Sequence, residues 1–390
     1  MSAFVDGNRI QLLRTGAEYF PALESALDAA GQQIFLETYI FEADDTGRAI
    51  AAALMRAAQR GVSTQVLIDG FGSKNLDAAL IAAMRAAGVR LLKFRPDISP
   101  WTLKRQRLRR LHRKVAVVDG RIAFVGGINV IDDMHTPRQI PPRFDYAVRI
   151  EGPLLADIHA SAAKLWRYVS WTQLRQKGGG AGGGMAQTAP RGSRRAAFVI
   201  RDNLRHRTDI ERAYLEAIAG AKTEIIIACA YFFPGRTFRR ALIDAAARGV
   251  RVVLLLQGRV EYRLLHYASR ALYLHFLNAG VEILEYHRSF LHAKVAVIDH
   301  RWATVGSSNI DPMSLLLARE ANVLIDDARF ARELRLSLNE AIETGAQPVL
   351  RARWERESQI VPMRMMTWIC YELVRFLSGW SSYGRAREYN

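Results

Sequence analysis

Residues 110–129, RLHRKVAVVDGRIAFVGGIN, return 180 positions later as residues 290–309, FLHAKVAVIDHRWATVGSSN. Each copy is apolar and β-branched up to an aspartate, turns, and becomes apolar again, the pattern of two strands joined by a tight turn. The duplication extends upstream. Residues 49–69, AIAAALMRAAQRGVSTQVLID, and 241–257, ALIDAAARGVRVVLLLQ, are each an alanine-rich helix, an Arg-Gly-Val turn and a strand. Residues 82–94 and 274–286 repeat the plan, with Gly88 and Gly280 closing the helices. Strands are expected at 33–40, 64–69 and 114–119, with partners at 224–230, 251–257 and 294–299. Strands alternating with helices specify an α/β fold built as two tandem, pseudo-symmetric α/β/α sandwiches. Parallel and antiparallel order are not readable from this pattern.

The 390 residues suit two domains, and half of them are hydrophobic, enough for a full core in each. The boundary falls in residues 177–195, KGGGAGGGMAQTAPRGSRR, which lack the apolar residues of a core and read as a flexible linker. The expected halves are residues 1–176 and 196–346, followed by a tail over 347–390.

Each half carries one constellation. His112, Lys114 and Asp119 are followed by Gly126, Gly127 and Asn129; His292, Lys294 and Asp299 are followed by Gly306, Ser307 and Asn309 at identical spacing. Residues two apart on a strand share a face, so each histidine stands beside its lysine. An imidazole and an ammonium on one face can meet one phosphate, and the Gly/Ser/Asn turn brings N–H groups near an anion. One His-x-Lys on a strand is ordinary; a duplicate with matching Asp, Gly and Asn positions marks chemistry. Asp119 and Asp299 end their strands and suit a catalytic or a structural role. A working histidine also needs a partner on its second ring nitrogen. Asp145, 33 residues after His112, and Glu320, 28 residues after His292, stand before strands and are assigned to that task.

At these residues the chain resembles the phospholipase D superfamily, whose motif is H-x-K-x4-D-x6-G-[GS]. Longer stretches, among them DYAVRIEGP (145–153) and ACAYFFPG (228–235), are similar to bacterial cardiolipin synthases of the B type. The likeness covers residues 12–345. It implies a phosphatidyltransferase without metal or other cofactor. One histidine, by superfamily habit His112, would attack a phosphodiester to give a phosphohistidine. The other, His292, would protonate the leaving alcohol and activate the incoming one. Lys114, Lys294, Asn129 and Asn309 would stabilise the phosphate oxygens. The donor would be phosphatidylglycerol and the acceptor a second lipid headgroup, with cardiolipin and glycerol as products; a hydrolytic phospholipase D or a nuclease of the same superfamily is the alternative.

Lys and Arg number 55 against 38 Asp and Glu, a net +17 that favours anionic membranes or nucleic acid. Residues 104–114, KRQRLRRLHRK, hold seven of these cations and would serve lipid or DNA phosphates alike. Residues 360–380, IVPMRMMTWICYELVRFLSGW, suit either an amphipathic helix in the headgroup region or a helix packed on the body. Two cysteines are too few for a disulfide framework, and no run is apolar enough to span a bilayer. The start of the chain lacks a signal-peptide pattern. The expected partners are anionic phospholipids at a peripheral membrane surface, with no obligatory nucleic acid and the subunit number open. The expected location is the cytoplasmic face of a bacterial inner membrane.

Overall fold

The computed structural model describes residues 3–96, 109–136, 139–173, 185–202, 205–260, 263–311, 314, 318–358 and 361–382. In the first half the strands are β1 (Val5–Arg14), β2 (Gln33–Thr38), β3 (Ser63–Asp69), β4 (Arg90–Phe94), β5 (Lys114–Val118), β6 (Ile122–Gly126), β7 (Arg143–Phe144) and β8 (Tyr146–Glu151). In the second they are β9 (Arg194–Arg201), β10 (Glu224–Cys229), β11 (Arg251–Gln257), β12 (Glu282–Tyr286), β13 (Phe290–Leu291), β14 (Lys294–Ile298), β15 (Trp302–Gly306), β16 (Glu320–Asp326) and β17 (Ala346–Pro348).

The first half orders its strands β1-β8-β6-β5-β2-β3-β4 and the second β9-β16-β15-β14-β10-β11-β12-β17. In each, the three strands linked by helices run parallel (β2, β3, β4 and β10, β11, β12), and the others pair antiparallel. Parallel neighbours need a crossover, and the alanine-rich helices supply it. The halves join where β1 changes partner. Its residues Arg9–Arg14 pair with β8, while Val5 and Asn8 pair with β9 across a bulge that contains Gly7 at φ 87°.

Side-chain alternation divides the interior. Val115 and Val117 of β5, with Val295 and Val297 of β14, face one inner cluster that also holds the helices Leu155–Thr172 and Ala328–Gly345. Ala116 and Val118 face an outer cluster under the helices Thr15–Asp28, Asp45–Gln59 and Ala78–Ala86. Ala296 and Ile298 face the matching cluster of the second half. The tandem sandwiches therefore have one inner core in common.

The edges of the expected segments shift. Of the linker, residues 177–184 lie outside the described residues; the rest is tied down, since Gln187 donates to the Gly120 carbonyl at 2.8 Å and Arg191 to that of Gly7 at 2.8 Å. At the other end, β17 pairs with β12, so the second sheet extends two residues past 346.

Asp119 and Asp299, expected among the catalytic residues, have another place. Each stops its strand with φ near 50°, a left-handed conformation that aspartate tolerates better than most residues. Each lies five residues along from its lysine, roughly 16 Å on an extended strand. Asp119 accepts from the N–H groups of Gly31, Gln32 and Gln33 at 2.8–2.9 Å, and Asp299 from those of Lys222, Thr223 and Glu224 at 2.8–3.1 Å. Burial opposes charge on Asp299, but the Thr223 and Glu224 N–H groups outweigh it and hold the carboxyl below its usual range. These aspartates fasten β5 to β2 and β14 to β10. Asp299→Ala is expected to lower stability by roughly 1–2 kcal/mol, as loss of a capping carboxylate does, while kcat of the folded protein stays within about threefold. Denaturant titration beside a turnover assay checks both; loss of turnover without loss of stability would return Asp299 to the chemistry.

Candidate active site

Short backbone pairings between the halves build the site. The N–H of His112 donates to the Arg319 carbonyl at 3.0 Å, and that of Arg319 to the Arg110 carbonyl at 2.7 Å. In the second copy β13 runs parallel to β7, and the His292 N–H donates to the Phe144 carbonyl at 2.8 Å. The next residue after each accepting carbonyl is a carboxylate, Glu320 or Asp145. His112 Nδ1 meets Glu320 Oε1 at 2.9 Å, and His292 Nδ1 meets Asp145 Oδ2 at 2.6 Å. Counting along the chain sets each carboxylate beside the histidine of its own half; folding exchanges them. With Nδ1 committed on both rings, Nε2 is the nitrogen left for chemistry.

The lysines complete the constellation. Lys114 Nζ donates to the His112 carbonyl at 2.6 Å, and Lys294 Nζ to the His292 carbonyl. Lys294 Nζ also stands 3.8 Å from Asp145. Tyr39 closes one side, its ring 4.9 Å from that of His112 and 5.6 Å from Lys114 Nζ. Burial governs the titration. It lowers both histidines, with Glu320 opposing the shift at His112 and the cations Lys294, Arg143 and Lys114 deepening it at His292. Burial also lowers Lys114 to about 7, with Lys294 adding to the effect, and raises Asp145 to about 6. Both imidazoles are therefore neutral at pH 7 in the free protein.

The small residues after each motif differ in step with the carboxylates. Ser307 Oγ donates to Glu320 Oε2 at 2.5 Å. At the matching Gly127 a Cβ would lie 2.3 Å from Asp145 Oδ1, so only glycine leaves room for that carboxylate. Asn129 Oδ1 accepts from the Ile40 N–H at 3.1 Å, and Asn309 is buried beside Cys229. Both asparagines thus brace the strand ends that border the histidines.

Two positions escaped the sequence reading. Asp69, the last residue of β3, accepts from the Leu111 N–H at 2.9 Å; Gln257, the last residue of β11, accepts from the Leu291 N–H at 3.2 Å. Each holds the residue before one of the two paired histidines. Their equivalence was visible in the aligned copies STQVLID and RVVLLLQ, but Asp against Gln gave no sign of a common task. The basic run also changes meaning. Residues 104–108 lie outside the described residues, and Arg113 and Lys114 are interior. Arg113 pairs with Glu37 through two nitrogens and reaches Ser161 at 2.8 Å, so at least these two of the seven cations cannot serve a surface. Gly127→Ala is expected to displace Asp145 from His292 and lower kcat more than about tenfold, with Ser307→Gly milder. Steady-state turnover of the two variants checks the difference.

The family model described as "Cardiolipin synthase, PLD-like domain" matches residues 23–161 and again 214–342, one copy per half. Cardiolipin synthase B of Escherichia coli is 42% identical over 355 residues, covering 88% of this chain and 83% of its own. Cardiolipin synthase B of Salmonella typhi is 42% identical over 353 residues with the same coverage. Among solved structures, the phosphatidylserine synthase of Haemophilus influenzae superposes with a TM-score of 0.68 over 95% of this chain and 93% of that one, at 13% identity, a likeness of fold. With two copies of the family domain facing each other across paired histidines, the chain belongs to the cardiolipin synthase family of phospholipase D-like proteins.

Proposed function

We propose that this protein is a phosphatidyltransferase that makes cardiolipin and glycerol from two molecules of phosphatidylglycerol. The observation that supports it most is the crossed pair His112–Glu320 and His292–Asp145, two imidazoles each oriented by a carboxylate, in a chain 42% identical to cardiolipin synthase B. Such a site binds a phosphodiester between two cations and works on it from both sides.

In the first step His112 Nε2 attacks phosphorus; the P–N bond forms as the bond to the glycerol oxygen breaks. His292 gives its proton to that oxygen, and glycerol leaves. In the second step the hydroxyl of another phosphatidylglycerol passes its proton to His292 and attacks phosphorus, and the P–N bond breaks. His292 must be protonated for the first step although burial and nearby cations lower its pKa in the free protein. The anionic diester supplies the opposing charge that lets it take up a proton on binding. Lys114 and Lys294 balance charge on the non-bridging oxygens. We assign the protein a peripheral place at the cytoplasmic face of a bacterial inner membrane; no described helix is long and apolar enough to cross a bilayer.

Purified protein with phosphatidylglycerol vesicles should yield cardiolipin and glycerol by mass spectrometry, and His112→Ala neither. Phosphatidic acid as sole product would make water the acceptor, and DNA cleavage without lipid turnover would make the protein a nuclease. His112→Ala is expected to form no phosphoenzyme, whereas His292→Ala accumulates it with a good leaving group. Equal labelling of the two would overturn this assignment of roles. The pH profile of kcat/KM should be bell-shaped. Its acid limb follows Asp145, raised to about 6, as protonation releases His292. Its alkaline limb follows Lys114, lowered to about 7, as the ammonium loses its charge. Lys114→Arg, which stays charged, should shift that limb upward by roughly one unit or more in the remaining activity.

A further inference from the structure

Over residues 365–376 the helix Val361–Ser382 is apolar on two opposite faces, and among these described side chains one face is covered. Cys370, Tyr371 and Val374 lie on the covered face, in or against the outer core of the second half, and the helix packs along Arg263–Arg270. The Tyr371 ring is 5.5 Å from that of Phe233, and its hydroxyl accepts from Arg239 at 3.3 Å. Met365, Trp368, Ile369 and Leu373 follow the 3, 4 and 8 spacing of a single stripe and point outward, Trp368 being 60% exposed; Glu372 falls on the same stripe and is paired with Arg375 at 3.2 Å. A folded chain leaves such a stripe open where something else covers it.

We infer that this stripe is the docking surface by which the protein lies on an anionic phospholipid bilayer, and that it sets the mouth of the active site against the lipid headgroups. The inference rests on the phospholipid substrate proposed above. Three observations support that occupant. First, the helix is fixed close to the site: Tyr371 packs on Phe233, whose N–H donates to the carbonyl of Ile310 at 2.7 Å, and Ile310 follows Asn309. Secondly, the charge around the stripe is complementary to an anionic surface. Helix Arg263–Arg270 carries two arginines and no acid, Arg270 lying over Trp354 within 3.8 Å of Glu285, and helix Arg236–Ala247 carries three arginines against one aspartate, which pairs with Arg240 at 3.1 Å. The whole chain has a net +17. Thirdly, further apolar side chains stand exposed on loops that leave the same end of the sheet, Phe71 beyond β3 and Val260 beyond β11. Trp368 is of the residue type that settles at headgroup depth, and a helix lying flat beside cations is the usual geometry of peripheral lipid contact.

The test compares the full chain with a Trp368→Ser, Ile369→Ser, Leu373→Ser variant. All three positions face outward, so fold and thermal midpoint should be retained. Co-sedimentation with phosphatidylglycerol–phosphatidylethanolamine vesicles should show a fall in partitioning of roughly tenfold or more. Turnover of vesicle phosphatidylglycerol should fall in parallel, while turnover of a short-chain, monomeric phosphatidylglycerol stays unchanged. Equal vesicle binding by variant and parent would overturn the inference. So would a parent dimer that the variant converts to monomer in sedimentation velocity with lipid binding intact, since the stripe would then be covered by a second copy. If the parent turns over neither vesicle nor monomeric lipid yet binds vesicles through the stripe, the docking surface stands and the transferase reading falls.

Discussion

A histidine keeps a defined tautomer and orientation when a partner holds its Nδ1, and here that partner is a carboxylate from the opposite half of the chain. His112 depends on Glu320 and His292 on Asp145. The rest of the site is arranged around this exchange. It requires the lead-in to each histidine to run beside the lead-in to the other half's carboxylate, which the parallel pairing of β13 with β7 and the bridge from Leu111 to Arg319 achieve. A half on its own would leave its imidazole without an anchor and its carboxylate with only the donor of its own half, the Ser307 hydroxyl for Glu320 and the Tyr146 N–H for Asp145.

The inner core makes the exchange rigid. Valines of β5 and β14 point into the same cluster as the helices Leu155–Thr172 and Ala328–Gly345, so a shift of one half against the other would open packed contacts. Because each central strand is buried on both faces, its sequence reads as an unbroken apolar run instead of an alternation. At the outer strand ends Asp119 and Asp299 fasten the motif strands to their neighbours, and at the inner ends Asp69 and Gln257 hold the residues before the histidines. Each motif strand is thus tied at both ends.

The two halves are alike in plan and unequal in detail. Glu320 receives a hydrogen bond from Ser307, whereas the shorter Asp145 needs the space that Gly127 leaves open. Arg113 pairs with Glu37 in the first half, and Ala293 takes the equivalent place in the second. The histidines differ too: besides burial, Arg143 joins the two lysines in lowering the pKa of His292, whereas Glu320 opposes the lowering at His112. Two histidines in one motif can then serve different steps of one reaction.

The sequence by itself determined the duplication, the α/β class and the strands that carry the motifs, because hydrophobic period and turn residues act locally and are repeated in both copies. It also identified the six side chains that meet at the centre, since histidine and lysine recur at constant spacing and a carboxylate precedes the matching strand in each half. Tertiary structure alone decided which carboxylate serves which histidine. Pairing across 208 and 147 residues depends on how two sheets face each other, which no local pattern encodes. It likewise moved Asp119 and Asp299 from chemistry to fastening, because the far end of a strand is distant in space though near in sequence. It also took Arg113 and Lys114 out of an apparent surface patch, since a charge run records composition and burial is set by what packs over it.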